Sequence, residues 1–373
     1  MSADLALASG LTAAGGVFVS PALARLVLDD TGLDVLPGFI DLHGDAFERA
    51  LAPRPGVTLP IGIALAEVEA QLLAAGVTTA YLAVTLSWEA GLRSADTYRL
   101  LRDALRARPA GALPALKLHV RFEAYNLAAL DMLLEDIAAG EVHMLSFNDH
   151  TPGILKKLPD PVRVSKFAER SGQSYEAFCA DARAAGAASA SEITAAHQRL
   201  AAAAREAGIP MASHDDATLE ERAYFRALGA KICEFPTTVE VAEEATAQNE
   251  PTVMGAPNVV RGGSHTGWHG AEALVKSGCC AVLCSDYHYP SLLQAVYRLA
   301  RNNSAGFDEA VALVSRNAAA AAQLTDRGQL HQGQRADFLL VDPAAQPRLI
   351  ATIAAGHIAY LAPDATTRLR MMS

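Results

Sequence analysis

His43 and Asp45 stand two residues apart at the end of the apolar run Pro37-Gly-Phe-Ile-Asp-Leu. In an extended strand, positions i and i+2 point to one face, so an imidazole and a carboxylate there can hold one divalent cation together. Four more apolar runs end on ligand-type side chains. Glu123 closes Leu118-His-Val-Arg-Phe, and Asp149 and His150 close Met144-Leu-Ser-Phe-Asn. His214 closes Ile209-Pro-Met-Ala-Ser, with Asp215 and Asp216 after it, and Asp286 closes Ala281-Val-Leu-Cys-Ser. A lone His or Asp at a strand end is ordinarily a cap or a loop hydrogen bonder. The same coincidence at five strand ends points to a metal centre. Imidazole and carboxylate without thiolate suit Zn²⁺, Mn²⁺, Fe²⁺ or Ni²⁺ rather than Ca²⁺, with Zn²⁺ the first expectation. The set suffices for two divalent metal ions: His43, Asp45 and Asp286 on one, His150 and His214 on the other, and Glu123 bridging. Two ions about 3.5–4 Å apart lower the pKa of a shared water towards neutrality. Asp286 is expected to take its proton as the catalytic base.

A second group of residues suits an anion. The segment Gly255-Ala-Pro-Asn-Val-Val-Arg-Gly-Gly-Ser-His265 lies between the seventh and eighth apolar runs. Gly262 and Gly263 permit positive φ and expose backbone N–H groups, while Arg261, Ser264 and His265 add donors. Such a nest with a cation binds phosphate oxygens; the alternative is a plain Gly-rich turn. Arg54, held between prolines in Pro53-Arg-Pro-Gly-Val, and Arg121 are further cations. Together these residues predict a small phosphorylated substrate. Of the other histidines, His119 shares a strand face with Arg121 and either positions a ligand or packs. His143, His197, His331 and His357 read as structural, and His269 and His288 fall on loops at the active face.

The elements that must position these residues alternate. Candidate strands are Phe39–Asp45, Thr78–Leu86, Ala115–Glu123, Val142–Asn148, Ile209–His214, Lys231–Phe235, Thr252–Ala256 and Ala281–Asp286. Between them lie helix-like stretches such as Ala64–Ala75, Ala95–Arg108, Leu127–Ala139, Ser191–Ala207, Leu219–Leu228, Val239–Thr246 and Gly270–Ser277, and a last helix is expected over Glu309–Leu324. Eight strands alternating with helices predict an α/β fold, a closed parallel (β/α)8 TIM-like barrel over residues 37–327, whose strand ends carry the active face. Residues 1–36 and 328–373 read as short strands and tight turns that pair into one small β-domain. The segment 155–190 is longer than an ordinary βα loop. Its Lys156, Lys157, Arg163, Lys166 and Arg170 make it either a solvated helical insertion or a lid over an anion.

Composition sets the outer bounds. The chain has 373 residues, 51% of them hydrophobic and 19% charged, which excludes a disordered chain. Lys+Arg 31 against Asp+Glu 41 gives a net charge of −10, a poor balance for sequence-independent nucleic-acid binding. Cys179, Cys233, Cys279, Cys280 and Cys284 form no CxxC pair and read as small buried residues of a reducing compartment. The N-terminus has no basic leader, and no stretch of about 18 apolar residues occurs. A cytoplasmic protein without membrane or nucleic-acid partners is therefore expected, with self-association into a homo-oligomer left open.

The first-strand motif Pro37-Gly-Phe-Ile-Asp-Leu-His43-Gly-Asp45 resembles that of the amidohydrolase superfamily. The late segments Ser315-Arg-Asn-Ala-Ala and Ala336-Asp337-Phe-Leu-Leu-Val-Asp342 resemble that superfamily's return into a β-sandwich. Within it the chain is similar to the alpha-D-ribose 1-methylphosphonate 5-triphosphate diphosphatase family of the carbon–phosphorus lyase pathway. Shared stretches are Pro53-Arg-Pro-Gly-Val, Asp149-His-Thr-Pro-Gly153, Ser213-His-Asp-Asp-Ala-Thr218, Glu234-Phe-Pro-Thr-Thr238, Met254 to His265 and Ser285-Asp-Tyr287. The resemblance implies a metal-dependent hydrolase that releases pyrophosphate from a ribose 5-triphosphate in phosphonate metabolism. It implies metal roles for His43, Asp45, Glu123, His150, His214 and Asp286, and substrate contacts for Arg261, Gly262, Gly263, Ser264 and His265. The chain departs from the family's pattern at Gly44 and Ala46, and at Trp268, His269 and His288. Three outcomes are weighed: this diphosphatase or a paralogue acting on a related phosphorylated sugar or nucleotide; a C–N hydrolase (deacetylase, deaminase or cyclic amidase); or a barrel kept only for binding.

Overall fold

The computed structural model describes residues 3–19, 24–54, 56–262 and 270–371. Its centre is a sheet of eight parallel strands in chain order: β1 Phe39–Gly44, β2 Val77–Leu86, β3 Ala115–Glu123, β4 Met144–Asn148, β5 Met211–His214, β6 Ile232–Glu234, β7 Thr252–Gly255 and β8 Val282–Cys284. The sheet closes where Gly44 bridges Asp286 just beyond β8. The Asp286 N–H bonds the His43 carbonyl, and the Asp45 N–H bonds the Asp286 carbonyl, both at 2.9 Å. The result is a (β/α)8 barrel. Covered on both faces, most of its strands are largely buried; every residue of β2 is buried, while β1 and β3 carry Asp41, His43, His119, Arg121 and Glu123 at alternate positions. Six of the strands start or stop a residue or two inside the expected spans, because the flanking residues already turn into loops; β3 matches its span and β2 begins one residue earlier, at Val77.

The helices follow their caps. Ser94 accepts the Thr97 N–H to start Ala95–Arg106. Capping boxes at Ser189 with Glu192 and at Thr218 with Glu221 start Ala190–Glu206 and Leu219–Leu228. Gly229 ends the latter at φ +95°, a conformation that glycine adopts without penalty.

The single helix expected over Glu309–Leu324 is instead two, Phe307–Ala312 and Arg316–Ala321. The break is imposed by the barrel. The carbonyls of Leu313 and Val314 accept the N–H groups of Leu283 in β8 and Ile40 in β1, so they are lost to a helical ladder. The second helix then seats Ala318, Ala319 and Ala322 against Ile40, Leu42, Val253, Val282 and Cys284, filling the end of the barrel opposite the active face.

The chain ends supply two further sheets. One is built from Ala3–Leu7, Thr12–Ala14, Val17–Val19, Ala24–Leu28 and Leu369–Met371, the other from Asp34–Pro37, Phe338–Asp342, Arg348–Ala354 and His357–Leu361. Leu5, Leu7, Phe18, Leu28, Phe338 and Ile350 share one apolar cluster contributed by both sheets. The long connection after β4 folds into helices Thr151–Leu155, Pro161–Ser171 and Tyr175–Ala185, with a small core of Ile154, Leu158, Val164, Phe178 and Cys179. All five cysteines are free and buried. No helix among the described residues is long and apolar enough to cross a membrane.

Candidate metal centre

Strand β1 sets Asp41 and His43 on one face by its period of two. Asp41 is fully buried and accepts the Ser285 N–H at 2.9 Å, the Ser285 hydroxyl and the His43 N–H, so it staples β1 to β8. Burial pushes its carboxyl up to about 6 despite those bonds. This staple explains Gly44: a Cβ there would stand 2.7 Å from Asp41 Oδ2 and 3.1 Å from Ser285 Oγ. The departure at this position belongs to the barrel seam.

His43 turns Nδ1 to within 3.1 Å of Glu234 Oε1, at the end of β6. Glu234 is fully buried and accepts the Ser146 hydroxyl at 3.0 Å through Oε2. His119 lies behind it. Its Nδ1 is 3.0 Å from the Leu42 carbonyl, which can only accept, so Nδ1 carries the proton and Nε2 a lone pair. That lone pair lies 3.7 Å from Glu234 Oε2 and has no hydrogen-bond partner. Burial pushes the His119 pKa down to about 4. A buried lone pair facing a carboxylate calls for positive charge nearby.

A second set gathers at the ends of β4 and β5. His214 Nδ1 is 3.1 Å from Asp215 Oδ2, and His150 Nε2 is 3.4 Å from the same oxygen. Arg121 Nη2 donates to His214 Nε2 at 3.1 Å, and its Nη1 lies 3.9 Å from Asp45. Ligand-type atoms of His43, His214 and Glu234 lie within 4.8 Å of one another, as do those of His150, His214 and Asp215. Both sets fit a divalent cation of the zinc type, with imidazole and carboxylate donors and no thiolate.

The electrostatics agree. Burial, with Arg121 and His214 adding to it, holds His43 well below its usual pKa, so its lone pair is free for a metal. Burial raises Asp215, but His214 and His150 outweigh it and hold the carboxyl well below the usual range. Burial, then Asp45, pushes Asp286 up to about 7.

Three residues at this rim adopt positive φ: Asp215 (+62°), Phe235 (+52°) and Asp286 (+54°), each just past the end of its strand. Aspartate tolerates this region; phenylalanine pays roughly 1 kcal/mol or more. The strained Phe235 sets its ring 5.0 Å from the His43 ring and 5.1 Å from the His214 ring, wedging both imidazoles in place.

The sequence expectations are met unevenly. His43, His150 and His214 come together in the two ligand sets, while Asp45 and Asp286 stand at the seam beside them. Glu123, expected to bridge, lies beside the second set, its Oε2 3.2 Å from His150 Nδ1. Its carboxylate accepts the N–H groups of His150 and Thr151 and the Thr151 hydroxyl, capping the turn after β4, and it belongs to neither set. Arg121 faces the centre. Arg261 ends the helix Ala256–Arg261 near Tyr287, with Gly262 as its left-handed cap at φ +79°. Gly263, Ser264 and His265 lie outside the described residues, as do Trp268 and His269. Glu234 and Asp215, which complete the two sets, were not among the expected ligands. Glu234 ends Lys231-Ile-Cys on the same strand-end signal that identified the others, and Asp215 follows directly on His214.

Two clefts open on the strand-end face. One of about 510 Å³ borders the second ligand set and is lined by Tyr125, Asp149, His197, Asp216, Glu220 and Tyr224 among others, with no Lys or Arg among the described residues. The other, about 420 Å³, lies between the Arg54 loop and the inserted helix Pro161–Ser171, and is lined by Arg54, Thr58, Thr97, Lys166 and Arg170 among others.

The sequence pattern of the amidohydrolase family matches residues 174–372. The alpha-D-ribose 1-methylphosphonate 5-triphosphate diphosphatase of Escherichia coli (strain K12) is 34% identical over 325 residues, 84% of each chain. Among solved structures, a Xaa-Pro dipeptidase with bound methionine superposes with a TM-score of 0.61 at 14% identity, covering 94% of each chain. A 5-methylcytosine deaminase from Klebsiella pneumoniae superposes with a TM-score of 0.61 at 13% identity, covering 97% of each. These structures share the fold.

Proposed function

The chain belongs to the amidohydrolase family, and within this hydrolase superfamily we propose that it cleaves alpha-D-ribose 1-methylphosphonate 5-triphosphate to the 5-phosphate and pyrophosphate. The observation that carries the metal-dependent part is the pair of ligand sets meeting at His214. The substrate rests on the 34% identical relative and on Arg121 beside the centre.

His43, His214 and Glu234 would hold one divalent cation, and His150 with Asp215 would serve a second, with Asp45 and Asp286 adding donors at the seam. Such a cation supplies Lewis acidity and lowers the pKa of a water towards neutrality. The protein's own groups do the rest. Asp286, its carboxyl near neutrality, accepts the proton of the attacking water. Arg121, fixed between His214 and Asp45, faces the charge that develops as the α–β phosphoanhydride bond breaks. Asp41 and Phe235 keep the carboxylate and imidazoles in register. The water oxygen ends on the phosphorus that is cut, and pyrophosphate leaves. Zinc is the first choice of metal, with Mn, Fe and Ni as substitutes, and the site is read as cytoplasmic.

Chelation followed by desalting should remove hydrolysis, and a divalent cation should restore it. Full activity in protein stripped of metal would overturn the proposal. One observation favours a second reading: the 510 Å³ cleft has acids and, among the described residues, no Lys or Arg, which suits an amine-bearing substrate cut at a C–N bond.

A further inference from the structure

The cleft between the Arg54 loop and the inserted helix lies apart from both ligand sets, and nothing in the hydrolytic chemistry above uses it. Its walls come from the loops after β1, β2 and β4, all on the strand-end face of the barrel. Arg54 and Lys166 are exposed, and no carboxylate lies within ion-pairing distance of either among the described residues. Among these residues, two cations outside any ion pair, against the single free carboxylate of Glu169, face this cleft and stand out in a chain of net charge −10.

The third cation, Arg170, is spent on structure. It pairs with the buried Glu89 at 2.5 Å, and Glu89 also pairs with Arg93 at 3.4 Å. The inserted helices are held at two more points. Trp88 donates to Thr151 at 2.8 Å and packs on Phe178 with ring centroids 5.6 Å apart. Gly91, at φ +69°, lies so close to Arg170 and Ser171 that a Cβ would stand 3.2 Å from their backbone. The insertion is thus a fixed wall, and the cleft is formed without closure. Glu169 lines the same wall, so the positive balance comes from Arg54 and Lys166. The hydroxyls of Thr58 and Thr97 add uncharged polar groups to the lining. The volume of about 420 Å³ accepts a tetrahedral oxyanion with part of a sugar ring.

We propose that this cleft is a second anion subsite, with Arg54 and Lys166 holding a phosphonate or phosphate monoester at the end of the substrate remote from the bond that is cut. The inference rests on the phosphoester reading of the hydrolytic centre, and it predicts a substrate anionic at both ends. It also sets a role for the insertion: presenting Lys166 at a fixed distance from the Arg54 loop.

The test compares the metal-loaded wild type with the double variant Arg54→Gln/Lys166→Gln, whose sites are exposed and whose melting temperature checks folding. Methylphosphonate is the probe, and calorimetric titration the readout, with His43→Ala as a control for binding at the hydrolytic centre. Binding should weaken at least about tenfold in the double variant and persist in His43→Ala. In parallel, the ratio of kcat/KM for alpha-D-ribose 1-methylphosphonate 5-triphosphate over inorganic triphosphate should fall by a similar factor in the double variant. Methylphosphonate binding that is absent from the wild type, or equal in the double variant, overturns the subsite. Binding that behaves as expected with no triphosphate hydrolysis by the wild type sustains the subsite and overturns the diphosphatase reading alone.

Discussion

Two clefts on one face of the barrel differ in the sign of their charge. The larger borders His150, His214 and Asp215 and adds Asp149, Asp216, Glu220 and Glu221 to them. The smaller holds Arg54, Lys166 and Arg170. At separations beyond about 10 Å, exposed charges are screened at ordinary salt, so each cleft keeps its own potential. A net charge of −10 therefore says little about either. The side chains alone make the His150 side acidic and the Arg54 side basic, with Arg121 between Asp45 and His214, so a phosphate seated on the His150 side would depend on the cations that His150 and Asp215 would hold.

The sharpest way to break this picture is at the ligand sets, which the larger cleft borders. Glu234→Gln keeps the shape but removes the buried charge beside His43 and Ser146. Turnover should fall by about 10³-fold or more, with metal content reduced, by elemental analysis of the purified variant. Wild-type metal content and turnover would remove Glu234 from the ligand set.

The acidic cleft stands on a buried ionic floor. Arg222 is fully buried and pairs with Asp216 and Glu250, both at 3.2 Å. Arg222→Met leaves those carboxylates without their shared partner and should cost about 3–5 kcal/mol in urea unfolding. A loss under 1 kcal/mol would show that the floor is not needed.

His197, in the wall of the same cleft, gives the comparison a pH signature. Burial pushes its pKa down to about 4, below its ordinary value in the unfolded chain. Its contribution is complete above pH ~6.5 and is lost as pH falls towards 4, because the unfolded state then binds the extra proton. Between pH 7 and 5 the wild type should lose ~2 kcal/mol more stability than His197→Gln. Equal pH slopes would mean that the imidazole titrates freely.

The smallest effect belongs to Glu220, on the acidic side but exposed. Glu220→Gln should change kcat/KM for the triphosphate less than about twofold, against the larger loss on neutralising the Arg54 side. A tenfold change would place substrate in the acidic cleft and favour the C–N reading.

Much of this was legible in the sequence. Alternating apolar runs and helices gave the barrel, and strand-end residues gave His43, His150 and His214, because the pattern of two and the strand-end rule are local. What the pattern did not show depended on contacts distant in sequence. The helix over Glu309–Leu324 breaks because Ile40 and Leu283 take its carbonyls. Glu123 bends to cap the turn at His150, a bond that no strand pattern encodes. Asp41 shows its role only beside Ser285, 244 residues away. Glu234 was within reach of the same strand-end rule, on a strand of only three residues.

The central claim is tested most directly by the products formed when purified, metal-loaded protein meets alpha-D-ribose 1-methylphosphonate 5-triphosphate. Pyrophosphate and the 5-phosphate should form in equal amounts, and both should be lost on chelation. No pyrophosphate, together with ammonia or acetate released from an amide or amine panel, would contradict it.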